Sequence, residues 1–406
     1  MKHLLIKACL FGTLLAATTF SAWADDKIVL KYWHNHPEWK DRVQAIITKF
    51  QEQNPTIEIQ LEEIAGPNYT ARINNALAAG EAPDIFVMAP GPDTAATAKA
   101  GYIVDLTDKI DISGQTDSAR AAITIDGKVW SATILGSYTV GLYYHRKVFA
   151  DNGFVPPTNQ TEFMALCKTM QDQGIVPMIA PAQDGVIPAF LYMMMASSVL
   201  KADGIEAIRH GTRKFTDPDV VKAAYFLRDI YKCFQDGALA TPYVEGKALF
   251  ALGKGAMLEG GSADFAGFQE TNPAIDVGVV PFPAVDGGTP ATVTGMEGPA
   301  VINANSAHVD AAVTFMQWMM SKQAAQMVVD TITLPTTKDV VPSDNRVMAE
   351  MLKAGQSNDV RVFYELPEIG GVFSVIQQNA QALFLGEMSP EDFSAALQAA
   401  VKPSAM

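Results

Sequence analysis

The chain has 406 residues, 49% of them hydrophobic and 18% charged, with a formal charge of −14. That length exceeds one ordinary hydrophobic core and suits about two domains. The acidic balance excludes a polyanion-binding surface, because phosphate contacts need Lys and Arg, so neither nucleic acid nor an anionic membrane is expected as a partner.

Lys2 and Lys7 precede the apolar run 8–17, and Ala22-Trp23-Ala24 fits the small-x-small rule of signal peptidase. The run is short for a bilayer span. Residues 1–24 therefore read as an export signal cleaved near Ala24. Cys9 lies inside the apolar run, which speaks against a lipid-anchored start. A protein exported without an anchor needs an outer membrane to retain it, so the expected location is the periplasm. Processing removes two lysines and no acid, leaving 28 basic residues against 44 acidic ones, a charge of −16. Cys167 and Cys233 remain. An oxidising compartment permits a disulfide between them; two buried thiols are the alternative. Two cysteines are too few for a structural zinc site.

Residues 27–33 form a β-branched and aromatic run typical of a strand. A polar turn, His34-Asn35-His36, leads to Pro37 at the head of a helix. On that helix Trp39, Val43, Ile46, Ile47 and Phe50 share one face. Asn54-Pro55 stops it, and Ile57, Ile59 and Leu61 alternate as a second strand. Tyr69, Ile73 and Leu77 mark a second helix, and residues 85–88 a third strand. Alternating strands and helices imply an α/β fold with a parallel sheet.

The stretch 128–149 holds two extended runs, 129–134 and 139–144, around Leu135-Gly136-Ser137-Tyr138. A plain hairpin is one reading. A crossover from one domain to the next is the other, with Tyr138 at the mouth of the crevice between them, where small ligands bind. Beyond it, Asn159 and Glu162 form a helix-capping pair, and 189–200 and 220–234 read as helices. Strands are expected at 256–259, 277–280 and 299–303. The Pro- and Gly-rich stretch 281–290 and the segment 331–337 suit two further links between domains, and the remainder is helical.

Several segments together carry a family resemblance. Asn54-Pro55 before Ile57-Glu58-Ile59, the run Ala82-Pro83-Asp84-Ile85, GLYYHRKVF at 141–149, GKGAM at 253–257 and Ser389-Pro390-Glu391 occur in an order that resembles the extracellular solute-binding proteins of sugar ABC importers, the maltose-binding-protein-like family. The resemblance implies two α/β lobes, each a mainly parallel sheet flanked by helices, with several hinge crossovers. One lobe would take 25–136 and 282–331, the other 138–280 and 337–406. It also implies a cleft that closes on a ligand, delivery to membrane permease subunits, a monomer, no cofactor and no catalysis.

Sugar recognition needs aromatic faces for C–H surfaces and carboxylates or amides for hydroxyls. The loop 33–38 leaves the first strand at its C-terminal end, the ligand edge of an open α/β sheet. By resemblance Trp33, His34, Asn35 and Glu38 face the cleft, although an acid at Glu38 also suits a helix N-terminus. Asp84 either binds ligand or caps backbone amides. Tyr138 matches a ligand-lining position. Glu259 and Gly261 follow the GKGAM strand; Ala263 stands where relatives often carry an aromatic, and Asp264 lies beside it. Met296 and Glu297 sit in a glycine-rich loop, and Tyr364 comes from the last aromatic region. Two histidines without neighbouring acids or thiols at a known spacing make a weak metal set. The expected ligand is a mono- or disaccharide. A glycerophosphodiester, polyamine or peptide is the alternative solute, and a glycosidase built on paired acids is the enzyme alternative.

Overall fold

A computed structural model describes residues 27–64, 69–357 and 360–403, and the expected leader lies outside them. The strands are β1 (Ile28–His34), β2 (Ile57–Glu63), β3 (Ile85–Val87), β4 (Thr124–Ile125), β5 (Lys128–Val129), β6 (Ser137–His145), β7 (Met178–Ile179), β8 (Met257–Gly261), β9 (Val277–Val280), β10 (Val293–Met296) and β11 (Ala300–Ile302). They form two open sheets and a small hairpin of β4 and β5.

The first sheet has the order β11-β3-β1-β2, with β1 parallel to both β2 and β3. Leu30, Tyr32 and His34 alternate onto its buried face. Helix Lys40–Gln53 covers that face with Val43, Ile46, Ile47 and Phe50, the stripe that the 3.6-residue period sets out. Phe50 meets Phe315 edge-on at 5.0 Å, closing a core with Tyr32 and Phe86.

The second sheet runs β10-β6-β8-β7, with β9 also on β6. The expectation of a mainly parallel sheet holds for the first lobe and needs correcting here: β6 is antiparallel to β8, β9 and β10, and only β7 and β8 run parallel. The nine residues of β6 enter this sheet directly from the other lobe and serve as the spine for three returning strands. One face packs on a large core around Phe163, Tyr192, Phe226 and Phe282, the other on Tyr143, Phe250, Phe268 and Met351. Helix Val186–Arg209 is long and apolar enough to cross a membrane by length and composition, yet it lies in the larger core, with Met193, Met194 and Met195 fully buried. Asn159 caps helix Gln160–Asp172 by accepting from Glu162 N at 2.9 Å. Cys167 on that helix forms a disulfide with Cys233 at a Cα separation of 5.6 Å, which decides between the two options left open by sequence.

The chain crosses first at Gly136, whose φ is +89°. A Cβ there would stand 2.3 Å from the carbonyl oxygen of Leu334, so the close approach admits only glycine. The expected run 129–134 is not a continuous strand; only Lys128–Val129 pairs, and Ala132 makes a single bridge to Ala300. The stretch 281–290 is not a link. Phe282 bridges Ala291, and Phe282, Ala284 and Val285 are buried, so its Pro and Gly mark a turn inside the second lobe. Residues 293–296, expected in the first lobe, are β10 of the second sheet, and the second crossing falls at 297–299. Leu334 touches Ser137, but 336–338 then bond back to 114–116 of the first lobe. Helix Arg346–Ser357 packs on the second sheet through Val347, Met348 and Met351, which puts the last crossing between 341 and 345 rather than 331–337.

Candidate functional site

A cavity of about 800 Å³ opens between the two cores, in the upper part of the ~300–1,000 Å³ range of small-molecule sites. Asn35 and Glu38 reach it from the loop after β1, Tyr138 from the start of β6, and Glu259 and Gly261 from β8. Asp264 comes from the first turn of helix Asp264–Thr271, Met296 and Glu297 from the end of β10 and the second crossing, and Tyr364 from a 3-10 turn at Phe363–Glu365.

Trp33, His34 and Asp84 are placed elsewhere. The first strand continues through His34, so the period of two carries His34 to the same buried face as Tyr32 and turns Trp33 to the opposite one. The Trp33 ring lies under the Arg72 guanidinium at 4.5 Å. His34 is fully buried; burial and the neighbouring His36 lower its pKa to about 3, so it stays neutral. Asp84 stands at the N-terminal end of β3, away from the ligand edge, where it accepts from Lys31 N at 2.8 Å and from the Ser306 hydroxyl.

His36, passed over as a ligand contact by the sequence reading, organises the first-lobe wall. Its Nδ1 lies 2.7 Å from Glu38 Oε1 and its Nε2 2.9 Å from Glu297 Oε1. Burial by itself lowers an imidazolium pKa, but the hydrogen bonds to Glu297 and Glu38 outweigh it and push His36 up to about 10. Its ring stacks on Trp39 at 4.1 Å with 9° between planes. Trp39 is buried in the first-lobe core, as the helical stripe predicts, and one edge of it also lines the cavity from a turn just ahead of the helix.

The opposite wall is built on two helices absent from the sequence expectations, Tyr243–Ala251 and Asp264–Thr271. Lys247 Nζ donates to Asp264 Oδ2 at 2.8 Å and to the main-chain oxygen of Glu259 at 3.1 Å. Tyr243 Oη donates to Asp264 Oδ1 at 3.0 Å, and Gly261 N to Asp264 Oδ2 at 2.7 Å. Asp264 thereby accepts three hydrogen bonds from the protein, and its part is to order this wall. Glu259 is 1% exposed, and burial raises its pKa to about 8 despite the opposing pull of Lys247. The floor is aromatic: Tyr138 Oη bonds Tyr364 Oη, and Phe190 meets Tyr138 edge-on at 6.4 Å. Opposite Tyr138 in the register of β10 stands Gly295, where a Cβ would come within 2.4 Å of the tyrosine ring. Ala263, the small residue in place of an aromatic, also lines the cavity and packs against the first-lobe core.

A solute here would touch both lobes at once, the working arrangement of a two-lobed solute-binding protein. The model for bacterial extracellular solute-binding proteins matches residues 45–354, and the chain belongs to that family. Its relatives include the multiple sugar-binding protein of Streptococcus mutans, 22% identical over 79% of this chain and 77% of that protein. The melibiose/raffinose/stachyose-binding protein MelE of Bacillus subtilis is 24% identical over 87% of this chain and 84% of its own length. Among solved structures, one from work on xylan utilization by Caldanaerobius polysaccharolyticus superposes with a TM-score of 0.80 at 24% identity, covering 92% of this chain and 99% of that one. This chain shares its two-lobed fold with that structure.

Proposed function

We propose that this protein captures a small carbohydrate between its lobes in the periplasm and delivers it to the membrane subunits of an ABC importer, without chemical turnover. The observation that carries the reading is the wall composition: Trp39, Tyr138, Tyr243 and Tyr364 supply ring surface, interleaved with Glu38, Glu259 and Glu297 as acceptors. Rings suit the C–H faces of a sugar, and carboxyl oxygens accept from its hydroxyls. The names of the Streptococcus mutans and Bacillus subtilis relatives point the same way. A cavity of about 800 Å³ is roomy for one ring and favours a disaccharide or slightly longer ligand over a monosaccharide.

The crossings at 136–137, 297–299 and 341–345 would act as the hinge, and ligand contact with both lobes would favour closure. The test is thermal unfolding of the processed protein against a panel of neutral mono-, di- and trisaccharides. A ligand at about 100 times its Kd adds ~2.7 kcal/mol of stability and raises the melting temperature. No shift with any sugar would overturn the carbohydrate reading. Release of smaller sugars from a bound oligosaccharide would overturn the absence of catalysis.

A further inference from the structure

The carbohydrate reading leaves the kind of saccharide open, and the charges around the cavity narrow it. Each cation in the described wall is already engaged. Arg42 lies 3.0 Å from Glu270, Lys247 2.8 Å from Asp264, and His36 bridges Glu38 and Glu297. Glu259 is the acid left over. Its side chain is buried in the cavity wall, and its Oε2 has no hydrogen-bond partner. Lys247, the amine that acts on it electrostatically, is directed to the Glu259 main-chain oxygen and to Asp264. Asn35 adds a second buried polar atom without a partner, its Oδ1, on the facing wall.

A buried acceptor with no donor carries the full cost of its lost hydration. A sugar hydroxyl would bring one donor and no charge. An ammonium brings three donors and a positive charge, and a charge-assisted hydrogen bond is about twice as strong as a neutral one. Burial, helped by the nearby Asp264 charge, raises the Glu259 pKa to about 8 and holds the carboxyl mostly protonated at pH 7, and an arriving cation would ionise it in place.

We propose that the ligand is a saccharide bearing a basic nitrogen, an amino sugar, and that Glu259 receives its ammonium group. The proposal rests on the carbohydrate reading and adds a charge requirement to it.

The experiment is calorimetry at pH 7 on matched pairs: neutral disaccharides and their counterparts with one hydroxyl replaced by an amine, with spermidine as a cation that is not a sugar. At least one amino member should bind about tenfold more tightly than its neutral partner, a difference of ~1.4 kcal/mol. Glu259→Gln should bring that member down to the level of the neutral one. The wild-type comparison decides by itself if the variant folds poorly. Amino members that bind no more tightly than their partners in every pair, while neutral sugars do bind, overturn this proposal and leave the carbohydrate reading standing. A preference that survives Glu259→Gln overturns the role of Glu259. Binding of spermidine with no binding of any saccharide overturns both.

Discussion

Arg42, on helix Lys40–Gln53 of the first lobe, holds Glu270, on helix Asp264–Thr271 of the second, at 3.0 Å across the mouth of the cavity. Both residues line the opening. The pair spans the gap between the lobes, so under the proposed closure it would favour the closed arrangement without being part of either core. Glu270 is 70% exposed, which screens the attraction; exposed pairs contribute ~0–1 kcal/mol. Arg42→Ala should therefore weaken ligand binding by up to about fivefold, mainly through faster release. The loss should shrink in high salt, and a double-mutant cycle with Glu270→Ala should show coupling. Equal losses at low and high salt would remove the latch role.

Glu297 should matter more than Glu38. Both bond His36, but the Glu297 side chain is 13% exposed and that of Glu38 59% exposed. Removing Glu297 leaves His36 Nε2 without its acceptor at the less exposed end of the ring, whereas water replaces the exposed Glu38 at Nδ1. Glu297→Ala should weaken sugar binding by ~1–3 kcal/mol and Glu38→Ala by less. Titration calorimetry of the two variants checks the order.

Stability should fall as pH rises from about 6.5 to 8.5. His36 has a folded pKa of about 10 against an ordinary value of 6.5, so its contribution is complete below 6.5 and fades as pH climbs toward 10. Glu259 and Glu365, raised by burial to about 8 and about 7 from 4.5, also bind protons more tightly when folded, so both lose stability over the same rise. His34 acts in the opposite direction, because its folded pKa of about 3 makes acid destabilising, but that effect lies below pH 6.5. Urea denaturation at pH 6.5 and 8.5 should show the drop, and Glu259→Gln should reduce it. A stability that rises over this interval would contradict these assignments.

Local periodicity made much of the first lobe readable. The Val43, Ile46, Ile47 and Phe50 stripe and the alternation of Ile57 and Ile59 each settle an element from within a few residues. Helix Tyr243–Ala251 escaped because its buried face does not read as apolar: Gly246, Lys247, Phe250 and Ala251 share one side, and two of the four are a glycine and a lysine. His34 was misplaced by ending the first strand one residue early, since a shift of one turns a side chain to the other face. The stretch 281–290 misled because Pro and Gly report a turn and not which lobe the turn belongs to.

The sequence alone determined the α/β character of the first lobe and a family whose members bind solutes outside the cytoplasm. Its family motifs also singled out Tyr138, Glu259 and Glu297, which the structure brings to one cavity. Only the tertiary structure decided that His36 is the hub between two glutamates, that Asp264 is held by three protein donors while Glu259 Oε2 has none, and that β10 belongs to the second sheet. The physical reason is range. Periodicity and capping act within a few residues, whereas a hydrogen bond between positions 36 and 297 depends on where three distant crossings bring the backbone together.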